Sequence, residues 1–300
     1  MRLTLGIVLG SCLLLAPAVP AAAPPRDGGS AKAGPRPYFV HLSDTHVAQD
    51  PAAQIYGQVP NANTAKAVAM IGKLSPPPRE VIVTGDLACD KGIEEEYQQY
   101  VALMSPLAAA GLVLRHLIGN HDSYVPFRKI VLLDKEGPPP GGWPPPAYKY
   151  AWDWDKDWHF LAISSLRGGQ SVGEVGKPQM EWIEQEATAA KDRNVAVFLH
   201  HHPFRTDNEG IVDHDTMKTA LQRHPNIRAV FFGHMHVLSL TQEGPLHLIC
   251  APSCSYGAVP GNRDALGFFV VTPEPAAFTV KYVPLDEKQP VQPFEKRLTW

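Results

Sequence analysis

A layered α/β (α+β) fold is predicted by short apolar runs that alternate with helical stretches. Each run is nearly continuous in aliphatic or aromatic residues, which is typical of strands buried on both faces. The first such runs are residues 38–42, 80–84, 112–118, 195–199 and 229–232. Helices are predicted from Asn63 to Leu74, from Gly92 to Met104 and from Pro178 to Lys191. Strands that alternate with helices indicate layers of helix and sheet around one core.

The second half of the chain is predicted to add antiparallel strands. Residues 149–154, 159–163, 246–251 and 268–271 are also strand-like, but some neighbours have no long helix between them. The main domain is predicted to cover residues 37–285, and residues 286–300 are predicted to form a C-terminal tail. The Pro- and Gly-rich stretch at 137–146 is typical of an inserted surface loop.

The N-terminal residues are typical of an export signal. A basic residue precedes the apolar run 3–15, and small residues follow at 16–23. We therefore expect a signal peptide over 1–22, a Pro/Gly-rich linker over 23–36 and an exported (periplasmic or secreted) protein. The apolar run is short for a membrane span, and it continues past Cys12, which argues against a lipid anchor there.

Charge and cysteine content limit the possible partners. The net charge of −3 gives no support for binding nucleic acid or an anionic membrane. Without the signal peptide three cysteines remain, so at least one is unpaired; Cys250 and Cys254 either form a disulfide or are two small buried residues. The sequence does not indicate an oligomeric state.

Five of the apolar runs are followed directly by polar residues able to bind metal. The clusters are Asp44-Thr45-His46, Gly85-Asp86, Gly119-Asn120-His121-Asp122, His200-His201-His202-Pro203 and Gly233-His234-Met235-His236. A single Asp-x-His or His-x-His occurs often by chance, whereas five clusters at strand ends predict one site at the carboxyl edge of the sheets.

The donor types indicate which ions the site would hold. Carboxylate, imidazole and amide groups suit manganese, iron or zinc, and no thiolate is present in these motifs. The clusters contain more donors than one tetrahedral ion needs. Two ions that share a carboxylate account for them, and a pair about 3.5–4 Å apart is suited to in-line displacement at phosphorus.

The ordered set of motifs from Asp44 to His236 resembles the calcineurin-like metallophosphoesterases. Downstream, Ala251-Pro252-Ser253 resembles the cyclic-nucleotide and glycerophosphodiester branch of that family. The resemblance implies a four-layer αββα sandwich with a dinuclear metal site at the C-terminal ends of the strands. It also implies a small-molecule phosphoester as substrate.

The resemblance further implies which residues bind each ion. Two sets that share Asp86 are expected: Asp44, His46, Asp86 and His236 for the first ion, and Asp86, Asn120, His201 and His234 for the second. His201 is chosen because the family ligand lies two residues before a proline. His121 matches a histidine that contacts the substrate phosphate, and Asp122 is expected to orient it.

The expected activity is phosphoester hydrolysis by a metal-bridging hydroxide, on a phosphodiester or a phosphomonoester. Two alternatives are a metal- or phosphate-binding module without catalysis and a secreted nuclease, which would need a basic groove.

The sequence departs at one position from the related purple acid phosphatases, which have a tyrosine ligand where this chain has Cys89. Packing is the role expected for that thiol.

Overall fold

The computed structural model describes residues 36–133, 148–257 and 265–300. Except for residue 36, the predicted signal peptide (1–22), linker (23–36) and surface loop (137–146) lie outside these ranges. Within the ranges, no helix is both long and apolar enough to cross a membrane.

Within the described residues twelve strands form the framework, and their bounds follow in chain order. They are β1 (Phe39–Leu42), β2 (Glu80–Val83), β3 (Val113–His116), β4 (Lys149–Asp153), β5 (Trp158–Ile163), β6 (Asn194–Phe198), β7 (Ile227–Phe232), β8 (Ser239–Glu243), β9 (Leu246–Cys250), β10 (Gly267–Glu274), β11 (Ala277–Pro284) and β12 (Phe294–Thr299).

The strands pair into two six-stranded mixed sheets. The first sheet has the order β12-β11-β10-β1-β2-β3, and the second has the order β4-β5-β6-β7-β9-β8. Strands β1, β2 and β3 run parallel, as do β5, β6, β7 and β9. The remaining pairs are antiparallel, as predicted for the second half of the chain.

In the part of the chain that the structure describes, five helices lie between the strands. They are α1 (Pro60–Ile71), α2 (Glu94–Ala109), α3 (Tyr124–Ile130), α4 (Lys177–Ala189) and α5 (His214–Gln222). The first three belong to the half of the chain that contains β1–β3, and the last two flank β6. Helical crossovers join β1 to β2, β2 to β3, β5 to β6 and β6 to β7, whereas β7 is joined to its parallel neighbour β9 through strand β8.

Alternation along the strands gives each sheet two buried faces and produces the four-layer αββα sandwich. In β1, Phe39 faces an aromatic layer between the sheets, whereas Val40 packs with residues of α1 and α2. In β6, Phe198 belongs to the same central layer, whereas Val197 packs against α4 and α5. Burial on both faces explains the nearly continuous apolar runs in the sequence.

Two sequence-based boundaries need correction. Residues 286–300 are not a separate tail, because β12 pairs with β11 from Ala277↔Thr299 to Tyr282↔Phe294 and completes the first sheet. The first helix begins at Pro60, so Asn63 lies inside it rather than capping it. Proline suits a first helical turn because the amide it lacks would have no helical partner there.

Candidate metal centre

The five polar clusters converge at the carboxyl ends of β1, β2, β3, β6 and β7. The first three strands belong to one sheet and the last two to the other, so the site lies at one edge of the sandwich. Among the described residues, four overlapping groups of His and Asp side chains occur there. In each group the potential donor atoms lie within 4.8 Å of one another. The structure thus brings together the strand ends that the sequence indicated.

The first donor set consists of Asp44, His46, Asp86 and His236. The Nε2 atoms of His46 and His236 lie 2.9 Å apart. Oδ1 of Asp44 is 3.4 Å from Nε2 of His236, and Oδ2 of Asp86 is 3.5 Å from Nε2 of His46. Nδ1 of His236 donates to the carbonyl of Tyr256 at 2.9 Å, which directs Nε2 into the set.

The second donor set consists of Asp86, Asn120, His200 and His234. Nε2 of His200 lies 3.2 Å from Oδ2 of Asp86 and 3.0 Å from Oδ1 of Asn120. His234 contacts the Asn208 carbonyl through Nε2 at 3.0 Å, so its Nδ1 is the nitrogen that remains for the set. Asp86 belongs to both sets and is the expected bridge.

His200, and not His201, occupies the place predicted for a ligand of the second ion. Nδ1 of His200 donates to the carbonyl of Thr84 at 2.7 Å, which leaves Nε2 for the site. Both nitrogens of His201 are already bonded, Nδ1 to Ser165 Oγ at 2.8 Å and Nε2 to the Ser171 carbonyl at 2.9 Å. The choice of His201 is therefore corrected to His200.

The phase of β6 explains this difference. Side chains alternate along a strand, so positions 196, 198 and 200 share one face. Ala196 and Phe198 face the layer between the sheets, whereas Val197 and Leu199 face the helices. His201 follows the helix-facing positions in this alternation. The prediction of His201 rests on its distance from Pro203, which does not contain the alternation of side chains along the strand.

Substitution of the two histidines should separate their roles. His200→Ala is expected to lower affinity for one ion by at least about 100-fold, because loss of a group that only supports a ligand already costs about 10–100-fold. His201→Ala should keep both ions and lose stability, because it empties a fully buried side-chain position and removes the contact with the buried hydroxyl of Ser165. Metal content by mass spectrometry, with thermal unfolding of both variants, checks this. Loss of an ion from His201→Ala alone would restore the original assignment.

The backbone at Gly119 and Gly233 passes close to the carboxylates of the site. A Cβ at Gly119 would lie 2.2 Å from Oδ1 of Asp86, and one at Gly233 would lie 1.8 Å from Oγ of Ser43 and 2.5 Å from Oδ2 of Asp44. Only glycine leaves room for these carboxylates, so the glycines before Asn120 and His234 set the position of the donors.

Backbone conformation also distinguishes the donors. Five donor residues have φ between 41° and 64°, which is uncommon for any residue other than glycine: Asp44, His46, Asp86, His234 and His236. Such conformations persist where the surrounding structure fixes them, and they cluster at functional sites. Ser253 and Ser255 contribute here, because their Oγ atoms donate to the Asp44 carbonyl at 3.0 Å and 2.6 Å respectively.

Asp122 supports the site rather than orienting His121. Its carboxylate accepts backbone amides from Leu87, Ala88 and Gly119 at 2.8–3.2 Å and the hydroxyl of Tyr97 at 3.0 Å. Burial and the nearby charge of Asp86 raise the pKa of Asp122 to about 6. The predicted catalytic role is replaced by a structural one, in which Asp122 joins the loops after β2 and β3.

His121 lies beside the donor sets, and one of its ring nitrogens has no hydrogen-bond partner among the described residues. Its backbone N–H donates to Oδ1 of Asp86 at 2.9 Å, and its ring centroid is 4.8 Å from that of His46. Buried Nδ1 of His121 has no hydrogen-bond partner among the described residues. This position is compatible with the predicted contact to substrate phosphate.

The charges in the site show why cations fit these donors. Burial opposes ionisation of Asp86, but contact with His200 outweighs burial and keeps the pKa of Asp86 well below its usual value. Burial likewise opposes protonation of His200, yet the charge of Asp86 and their contact raise its pKa to about 9. The two buried carboxylates of the donor sets, those of Asp44 and Asp86, thus depend on neighbouring positive charge. Metal ions would supply this charge in place of protons.

The cysteines do not add to either donor set. Cys89 is half-buried, and Cys250 and Cys254 are buried; all three are free thiols, so the disulfide alternative is not observed. Burial, with the charges of Glu96 and Asp90, raises the pKa of Cys89 to about 11. A thiol that resists ionisation is a poor ligand, in agreement with a packing role.

Comparison with known proteins gives a consistent match. Residues 37–238 match the calcineurin-like phosphoesterase family. The 3',5'-cyclic adenosine monophosphate phosphodiesterase CpdA of Pseudomonas aeruginosa is 26% identical over 238 residues, covering 75% of this chain and 79% of the relative. The glycerophosphodiester phosphodiesterase GpdQ of Enterobacter lignolyticus is 28% identical over 243 residues, covering 78% and 84%.

A solved structure supports the same fold. A dimetal phosphatase from Danio rerio superimposes with a TM-score of 0.66 over 89% of this chain and 100% of its own. Its sequence identity of 14% limits this similarity to the fold.

Proposed function

Since the chain belongs to the calcineurin-like phosphoesterase family, and is thus a binuclear metal-dependent hydrolase of phosphoesters, we propose that its substrates are phosphodiesters. The observation that carries metal-dependent hydrolysis is the pair of donor sets that share Asp86. The similarity to relatives named as phosphodiesterases supports the choice of diesters.

The donor sets fit two ions of the manganese, iron or zinc type. Their ligands are imidazole, carboxylate and one amide oxygen, which these metals accept. When bound, two such ions lower the pKa of a coordinated water toward neutrality and neutralise charge on a phosphate. The first ion would be held by Asp44, His46, Asp86 and His236, and the second by Asp86, Asn120, His200 and His234.

The protein groups around these donors have separate tasks. Carbonyls at Thr84 and Tyr256 fix the ring orientation of His200 and His236. We assign His121 the donation of a proton to the alkoxide that leaves the phosphorus, because its ring lies beside His46 and its Nδ1 has no hydrogen-bond partner among the described residues. The proton then resides on the alcohol product, and solvent reprotonates the ring before the next cycle.

Assays on paired substrates test the proposal. The protein is stripped with a chelator, reconstituted with manganese, and given bis(p-nitrophenyl) phosphate and p-nitrophenyl phosphate. We expect no turnover after chelation and a higher kcat/KM for the diester after reconstitution. A higher kcat/KM for the monoester would show that this is a phosphatase, and turnover in the stripped protein would remove the metal mechanism.

We also propose that the protein is exported, on the basis of the predicted signal peptide over residues 1–22. Export would direct the enzyme to phosphodiesters outside the cytoplasm, and it weakens a role in intracellular signalling. The intact mass of protein isolated from its native cells tests this. The proposal predicts a chain that begins near Ala22 or Ala23, whereas a retained N-terminus or a lipid on Cys12 would contradict it.

A further inference from the structure

Tyr56 is an exposed aromatic residue in an unfavourable backbone conformation. It forms a two-residue turn with Gly57, with φ of 50° and 75°, closed by reciprocal hydrogen bonds of 2.8 and 2.9 Å between Ile55 and Gln58. Turns of this kind favour Asn-Gly, so a bulky ring at the first position carries a conformational cost. Its side chain is nevertheless 49% exposed, and burial alone does not compensate for that cost.

The turn holds this ring close to the metal centre. The Tyr56 ring packs edge-on against Tyr256, with centroids 5.7 Å apart. Tyr256 in turn lies 4.8 Å from the ring of His46 and 4.7 Å from that of His236. The two rings thus extend from the first donor set toward solvent, and because Tyr256 is only 8% exposed, Tyr56 presents most of the accessible ring surface.

Hydrogen bonds from α1 fix this surface in place. Nδ2 of Asn63 donates to the carbonyl of Ser255 at 2.7 Å, next to Tyr256, and to Oε1 of Gln58 at 3.3 Å, at the end of the turn. One side chain therefore links both segments that carry the tyrosines. A binding surface held in this way loses little conformational freedom when a ligand arrives.

We propose that Tyr56 and Tyr256 form an aromatic subsite for a planar ring, a nucleobase or an aryl group, on the ester group that stays on phosphorus, while the phosphodiester lies at the donor sets. The proposal rests on the proposed function. An aromatic surface recognises a planar ring by stacking, which tolerates different ring identities because every base has a π-face. Tyr56 is the member that selects between esters, because its ring is the exposed one.

A pair of esters with the same leaving group tests this subsite. Thymidine 5'-(p-nitrophenyl phosphate) and methyl p-nitrophenyl phosphate differ in the group that the subsite would contact. Tyr56→Ala should reduce kcat/KM for the thymidine ester by about 10-fold or more relative to the methyl ester, the effect of one lost stacking contact. Tyr56→Phe should retain the preference, because it keeps the ring.

A matched control addresses general effects of exposed side chains. Leu133 is also exposed, at 73%, and also has a positive φ, of 54°. Leu133→Ala should leave the ratio of the two kcat/KM values unchanged. If Tyr56→Ala slows both esters equally, or lowers thermal stability and metal content together, Tyr56 has a structural role and the subsite is excluded.

Binding measurements separate this inference from the proposed function. Calorimetry on the manganese-loaded protein compares adenosine 5'-monophosphate with ribose 5-phosphate, which lacks only the base. We expect tighter binding of the nucleotide and loss of that advantage in Tyr56→Ala. Equal affinity of the wild-type protein for both ligands would overturn the inference even if diesters are hydrolysed. A base-dependent affinity without turnover would instead contradict the proposed function.

Discussion

Asp86→Asn is expected to lose metal and activity together. The carboxylate belongs to both donor sets, with Oδ2 3.5 Å from Nε2 of His46 and 3.2 Å from Nε2 of His200. Two divalent cations about 4 Å apart repel by about 16 kcal/mol at an effective dielectric constant of about 20, so an anion between them is required. We expect metal affinity to fall by at least about 100-fold. Metal content and kcat measured on one preparation check this.

A control is needed because Asp86 is buried. Asp153→Asn removes a carboxylate that is 60% exposed and paired with Arg193, so it should retain both ions and full activity. Thermal unfolding of both variants establishes that they are folded. Two tightly bound ions with normal turnover in Asp86→Asn would show that another group bridges the metals.

His121→Ala should keep both metals and lose about 10²–10⁴-fold in rate, the range for a positioned acid or base. The loss should be large for diesters with a poor alkoxide leaving group, such as glycerophosphoethanolamine. It should be smaller for bis(p-nitrophenyl) phosphate, because nitrophenolate leaves without a proton. Single-turnover rates on both esters, with metal content, measure the difference.

The competing role for His121 is that of a metal ligand, since it also groups with His46 and Asp86. In that case His121→Ala would lose an ion and slow both classes of ester equally. His201→Ala is the matched control, because it removes a buried imidazole near the second donor set whose nitrogens are both held by protein oxygens. That variant should show no dependence on the leaving group.

Much of the framework and donor list follows from local sequence. Residues 38–42 and 80–84 are predicted as strands because burial on both faces leaves nearly continuous apolar runs, and the strands form at 39–42 and 80–83. Asp44 and Asp86 were identified because parallel strands end at the same edge. These features depend on residues adjacent in the chain, which is why composition and order are sufficient to predict them.

Other features depend on contacts that the sequence does not contain. The choice between His200 and His201 needs the phase of β6 relative to both layers. The role of Asp122 needs three amides, two of which come from a loop about 35 residues earlier. Strand β12 has four polar residues, all of them exposed, so it lacks the apolar run that identifies a central strand. Its place at the sheet edge is set by pairing with β11.

Tyr56 illustrates the same limit at the candidate subsite. A Tyr-Gly pair between Ile55 and Gln58 has no motif that indicates binding. Its significance comes from a positive φ, exposure and the ring of Tyr256, which lies 200 residues later in the chain. Only the folded chain places these three properties at one point beside the donor sets.

Metal titration of the stripped protein tests the binuclear account most directly. Manganese is added in steps, and the bound ions per chain and the rate of bis(p-nitrophenyl) phosphate hydrolysis are measured on the same samples. The two donor sets predict saturation at about two ions per chain, with the rate rising as both sets fill. Saturation at one ion with full activity, or two bound ions with no hydrolysis of any phosphoester, would contradict a binuclear phosphoesterase.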